Sequence, residues 1–178
     1  MSGNNTDPQF AGIAALKARH KQQSEQFEAW ARRGDWQAFH DEHYDWWTFP
    51  IDESSRGQGL AYTVYEGDIA ELQKDAAFMR DLRRGAELVA ASWGWNLHAA
   101  DYLASPAPDQ RWQDWPVRLY KAARCMKLFG CTREFDSLKK FALLLLQQGR
   151  PITYGGYDLS WLFTTGIDPR GVRHERRP

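Results

Sequence analysis

Neither sign of charge is in excess, cysteine is nearly absent, and no long hydrophobic run interrupts the sequence. Lysine and arginine number 23, as do aspartate and glutamate, so the formal net charge is zero. Proteins that depend on bulk phosphate contacts are normally basic, so this balance argues against nucleic acid as the main partner. Two cysteines, Cys125 and Cys131, are too few for a disulfide framework or a cysteine zinc set. The longest aliphatic run, residues 141–146, falls well short of the roughly 20 apolar residues of a membrane helix. The polar first ten residues lack the charged-then-apolar order of a secretion signal. There is no phosphate loop, dinucleotide fingerprint, nucleophile elbow or HExxH pair. These absences predict a cytoplasmic chain with no membrane partner, no cofactor signature and no assignable catalytic residue.

What is present is tryptophan. Nine occur in 178 residues, within an otherwise ordinary composition of 43% hydrophobic and 26% charged residues. That composition supports a single folded domain with a sizeable core. Apolar residues recur at helical spacing almost throughout. Ile13, Leu16, His20, Gln23, Phe27 and Trp30 mark one helix face with a polar middle, opened by Asp7 and Pro8 and closed by Gly34. Asp35 is placed to cap a second helix carrying Trp36, Phe39, His40 and His43 on one side. Thr63 starts a long helical pattern through Ile69, Leu72, Ala76, Met79 and Arg83 to Trp93, with Gly94 as its stop and Gly85 marking a close helix crossing. A short helix is expected at residues 98–103. Pro116 opens another helix through Leu128, and Thr132 caps an apolar helix ended by Gly149 and Pro151. No credible strand series exists. The expected fold is all-α, a compact bundle of about five main helices over residues 1–168, with a basic tail at 169–178.

Arg33, Gly34, Asp35 and Trp36, then His43, then the run Trp47, Thr48, Phe49, Pro50, Ile51, Asp52 and Glu53 resemble the conserved domain of the opioid growth factor receptor family. The order of later elements is similar too: a Thr-led helix near Thr63, a long helix ending at Trp93 and Gly94, then an Arg- and Leu-bearing helix over residues 117–129. A Gly turn and an apolar helix follow. The resemblance covers roughly residues 27–147. Trp46, Trp47 and Thr48 stand where the family has Gln-Trp-Leu. The resemblance implies an all-helical domain and no established catalytic residue. The peptide growth factors bound by animal members are not carried onto this chain.

Several constellations could carry chemistry. His40 and His43, three apart on an expected helix, together with His98 and Asp101, could supply four metal ligands from two segments and support a metal-dependent enzyme. The order His20, His40-Asp41, Asp101 is similar to that of His-Asp metal phosphohydrolases, although the residues before His40 are not the apolar stretch that dyad needs. Cys125, between Arg124 and Lys127, is read as a buried small hydrophobe rather than an activated thiol. Arg118, Lys121, Arg124 and Lys127, each three apart, form a basic stripe. It reads as a solvated face or as internal ion pairs with the acidic N-terminal half, rather than as a phosphate site. The aromatic set is the strongest hint. Trp46 and Trp47 are adjacent and cannot both face inward, so one lies in the core and the other at a rim beside the Gly- and Ser-rich loop at residues 54–59. The expected function is recognition of a protein, a peptide or a small apolar ligand by an aromatic surface at Trp46, Trp47, Phe49 and Trp95. The alternative is the metal enzyme built on His40, His43, His98 and Asp101.

Overall fold

The computed structural model describes residues 2–171, about half of them helical. The described residues form helices α1 (Ile13–Arg33), α2 (Ala38–Asp41), α3 (Asp45–Thr48), α4 (Glu66–Leu72), α5 (Ala76–Ser92), α6 (Pro116–Leu128) and α7 (Thr132–Gln147). Two antiparallel ladders of two residues per strand are added. β1 (Trp95–Asn96) pairs with β2 (Asp101–Tyr102), and β3 (Thr153–Tyr154) with β4 (Tyr157–Asp158). A single 3-10 turn, Ser160–Leu162, follows.

The long helices follow the apolar spacing. In α1 the buried residues are Leu16, His20, Gln23, Phe27 and Trp30, one stripe at steps of three and four. Gly34 ends it with φ 67°. There the Gly34 N–H donates to Ala31 O and the Asp35 N–H to Trp30 O, which satisfies carbonyls the helix would otherwise leave open. Pro116 occupies the first turn of α6, where its missing N–H costs nothing. α1 packs on α5 and α6 on α7, with one continuous core between them.

The departures from expectation have local causes. α1 begins at Ile13, not at Pro8, because Asp7 closes a turn of its own: its Oδ1 accepts the Gln9 N–H at 2.8 Å and its carbonyl the Phe10 N–H at 3.0 Å. The long pattern after Thr63 is two helices. Asp75 takes an extended conformation and accepts the Phe78 N–H at 3.0 Å, starting α5 afresh. The helix expected at residues 98–103 is instead the turn and second strand of the β1–β2 hairpin. Asn96 Oδ1 accepts the Ala99 N–H at 3.0 Å and Ala100 takes φ 51°. Asp35 accepts the Ala38 N–H at 3.3 Å across the turn that leads into α2, but the residue that caps α2 is Gln37, without a side-chain bond, and the helix lasts only four residues. At Glu42 the backbone turns extended, with ψ 154°. Of the tail expected at residues 169–178, residues 172–178 lie outside the described residues. Arg170 is docked, donating to Asp168 Oδ2 at 2.7 Å and to Glu53 Oε2 at 3.2 Å.

Candidate functional site

The acidic turn that follows Pro50 lies against α6, and the two carry complementary charge. Asp52 accepts from Arg124 through both oxygens, at 2.7 and 2.9 Å. Glu53 takes the Tyr120 hydroxyl at 2.5 Å, Arg124 Nε at 3.0 Å and both terminal nitrogens of Arg170 at 3.2 Å. Three members of the basic stripe, Arg118, Lys121 and Arg124, therefore face inward as ion-pair partners, and only Lys127 of the four is exposed. Arg118, 1% exposed, donates to Phe39 O at 2.5 Å and Glu42 O at 2.9 Å. It thereby pins the α2–α3 turn to α6.

Beside this network lies a cleft of about 200 Å³. Ile51 and Val117 contribute apolar floor, and Trp46 forms a half-buried wall. Tyr154 and Tyr157, exposed on the β3–β4 hairpin, make the rim. The loop at residues 54–59 is tied across its base by two backbone hydrogen bonds between Ser55 and Gly59, both 2.9 Å. It lies close over the indole: a Cβ at Gly57 would come within 3.2 Å of Trp46 Cζ2. Lys121 lies along the cleft at 8% exposure, its ammonium 5.5 Å from the Trp46 ring centre and 3.6 Å from Asp45 Oδ2. Burial pulls the Lys121 ammonium below the usual lysine range, with Asp45 acting against that shift. Burial likewise pushes the Tyr120 phenol up, reinforced by the Glu53 carboxylate. An aromatic-walled pocket with convergent, desolvated polar groups has the chemistry of a ligand site, although at about 200 Å³ this one is smaller than most. A wider depression of about 700 Å³ over the start of α7 lacks that character, since Arg83, His98, Arg133 and Lys140 around it are largely solvated.

Of the expected aromatic surface, only Trp46 belongs to the cleft. Phe49 and Trp95 are fully buried and Trp47 nearly so. Trp47 donates to Gln23 Oε1 at 3.1 Å, meets the edge of Tyr62, and has the Arg19 guanidinium 4.0 Å above its ring. Trp95 donates to Ser137 Oγ at 3.0 Å and packs against Phe141. These three rings are core, so the four-residue surface is corrected to one wall, Trp46. The division of labour expected between Trp46 and Trp47 matches this placement. The cleft residues missed in the sequence, Lys121, Tyr120, Tyr154 and Tyr157, come from segments that only the tertiary fold brings to residues 46–57.

His40, His43, His98 and Asp101 are not brought together. Among the described residues, no three His, Cys, Asp or Glu side chains group as metal ligands. His40 is buried, with Nε2 3.0 Å from both Ser92 O and Asp109 O. Carbonyls only accept, so Nε2 carries the proton and is committed to them. His43 sits beyond the end of α2 and is exposed, which removes the shared helix face its spacing required. His98 lies 3.4 Å from Glu87, and Asp101 is exposed on β2. His20 is buried in α1 against Phe78, not beside His40-Asp41. Cys125 and Cys131 are free and buried, and burial pushes both thiols up, as small core residues rather than activated nucleophiles.

Comparison with protein-family models, with curated proteins and with solved structures finds no match to this chain. No described helix is long and apolar enough to cross a membrane.

Proposed function

We propose that this chain is a binding module, a helical bundle with two small hairpins, whose ligand enters the cleft beside Trp46. The observation that supports this reading most strongly is the cleft itself. It combines an indole wall, a tyrosine rim and a buried ammonium within about 200 Å³, a volume suited to one ring and a short side chain, or to one aromatic side chain of a peptide. The partner is thus a small, partly apolar molecule or a peptide residue of that size.

The experiment is a calorimetric titration of the purified protein with indole, phenol, phenylacetamide and phenylacetate. At least one should bind, with affinity lost in Trp46→Ala and kept in Tyr102→Ala, whose ring is exposed away from the cleft. Binding that survives Trp46→Ala, or no binding by any of the four, would contradict the reading.

A further inference from the structure

The polar groups around the cleft are unequally satisfied. On one side, Asp52, Glu53 and Asp168 all accept direct hydrogen bonds from Arg124, Arg170 or Tyr120. On the other, Asp45 is shared by two buried cations and bonded closely by neither: Arg118 Nε stands at 3.8 Å and Lys121 Nζ at 3.6 Å, both beyond hydrogen-bond reach. Arg118 Nε has no hydrogen-bond partner at all. Its terminal nitrogens are held by Phe39 O and Glu42 O, so the guanidinium cannot be released to leave Asp45 to Lys121 alone. The Lys121 ammonium, three donors on a side chain 11% exposed, makes no hydrogen bond among the described residues, and the side chain lines the cleft. A nearly buried, donor-rich ammonium whose one facing carboxylate is shared and stands beyond hydrogen-bond reach is poorly served, and an oxygen arriving from the cleft would give it a direct acceptor.

The rest of the lining says what carries that oxygen. Glu53, the other acid at the cleft, is neutralised by Arg124 and Arg170. Arg56, exposed at the mouth with its guanidinium 5.9 Å from the Tyr154 ring centre, adds a further positive charge. Lys121 inside and Arg56 at the entrance join Arg170, already paired with Glu53, as cations lining the cleft, and the rings of Trp46, Tyr154 and Tyr157 stand with the apolar Ile51, Val117 and Leu159 as its flat and apolar walls. We infer that the ligand of this cleft is a small carboxylate with a flat apolar body, its carboxylate accepting from Lys121 and its ring lying against Trp46. This rests on the cleft being the binding site.

Phenylacetate, phenylacetamide and phenethylamine share a ring and differ in the charge they present, so calorimetric titration of the full chain with each separates the two claims. The carboxylate is expected to bind at least tenfold more tightly than the amide, and the amine not at all. In Lys121→Met the acid and the amide should bind alike. If the amide or the amine binds wild-type protein as tightly as the acid, and Trp46→Ala abolishes it, the carboxylate inference falls while the cleft stands as a binding site. If none of the three binds, both fall. The wild-type series decides the charge question without relying on any variant to fold.

Discussion

The indole N–H of Trp47 donates to the side-chain oxygen of Gln23 across 3.1 Å, joining α3 to the polar middle of α1. Trp46, one residue earlier, turns its ring to the cleft instead. Neighbours in sequence thus serve opposite purposes, and substitution should separate them. Trp47→Ala removes a nearly buried ring and leaves Gln23 Oε1 without its donor, a loss of about 3–5 kcal/mol in urea unfolding. Trp46→Ala removes a half-buried ring and should cost about 1–2 kcal/mol. Equal losses at the two positions would contradict this assignment.

Buried histidine makes the fold sensitive to acid. His20 is 2% exposed, and burial lowers its pKa to about 4 from 6.5, with the Asp81 charge opposing the shift. The unfolded chain therefore takes up a proton that the folded chain refuses. The contribution is fully present above pH 6.5 and is lost as pH falls toward 4, up to about 3 kcal/mol at about 1.4 kcal/mol per unit. His40 is shifted in the same direction by burial and adds to the effect. Denaturant midpoints measured from pH 7.5 to 4 should fall more steeply for the wild type than for His20→Phe. Parallel curves would contradict the buried neutral state of His20.

The shared carboxylate predicts an asymmetry. Asp45→Asn leaves Arg118 and Lys121 facing each other in a buried site and should cost about 3 kcal/mol or more. Lys121→Met removes one of two cations competing for a single acid and should fall within about 1 kcal/mol of wild type. Urea unfolding of the two variants checks this, and a Lys121→Met loss as large as that of Asp45→Asn would contradict it.

Two glycines should respond oppositely to alanine. Gly94 has φ 79°, and a Cβ there would lie 2.8 Å from Gln110 O, so Gly94→Ala should destabilise by more than about 1 kcal/mol. Gly85, inside α5, would place its Cβ 3.6 Å from Thr48 Cγ2 and 3.8 Å from Phe27, ordinary contact distances. Gly85→Ala should then stabilise by up to about 1 kcal/mol through helix propensity. Thermal unfolding reads both.

The four long helices were legible because each carries a sustained apolar stripe with a recognisable end, as at Gly34 and Pro116. The short elements were not. α2 stops after four residues where the chain turns to deliver Glu42 O to Arg118, a partner 76 positions away that no local pattern reveals. The same turn dissolves the His40–His43 pair. At the site, the loop and Trp46 could be read from composition and adjacency. Lys121 could be read only as one charge in a stripe. Its burial depends on Asp45 and on the β3–β4 hairpin, which are distant in sequence. Trp95 was misplaced because an aromatic residue after a helix reads alike whether it ends in solvent or, as here, bonds Ser137 in the core.

Ligand entry beside Trp46 can be read from a proton–nitrogen NMR titration with phenylacetate that follows the indole N–H resonances. The resonance of Trp46 should move with saturating dependence while those of the buried Trp93 and Trp95 stay fixed. Movement of Trp93 or Trp95 with Trp46 unmoved, or shifts confined to residues over the start of α7, would place the ligand elsewhere and rule out the cleft.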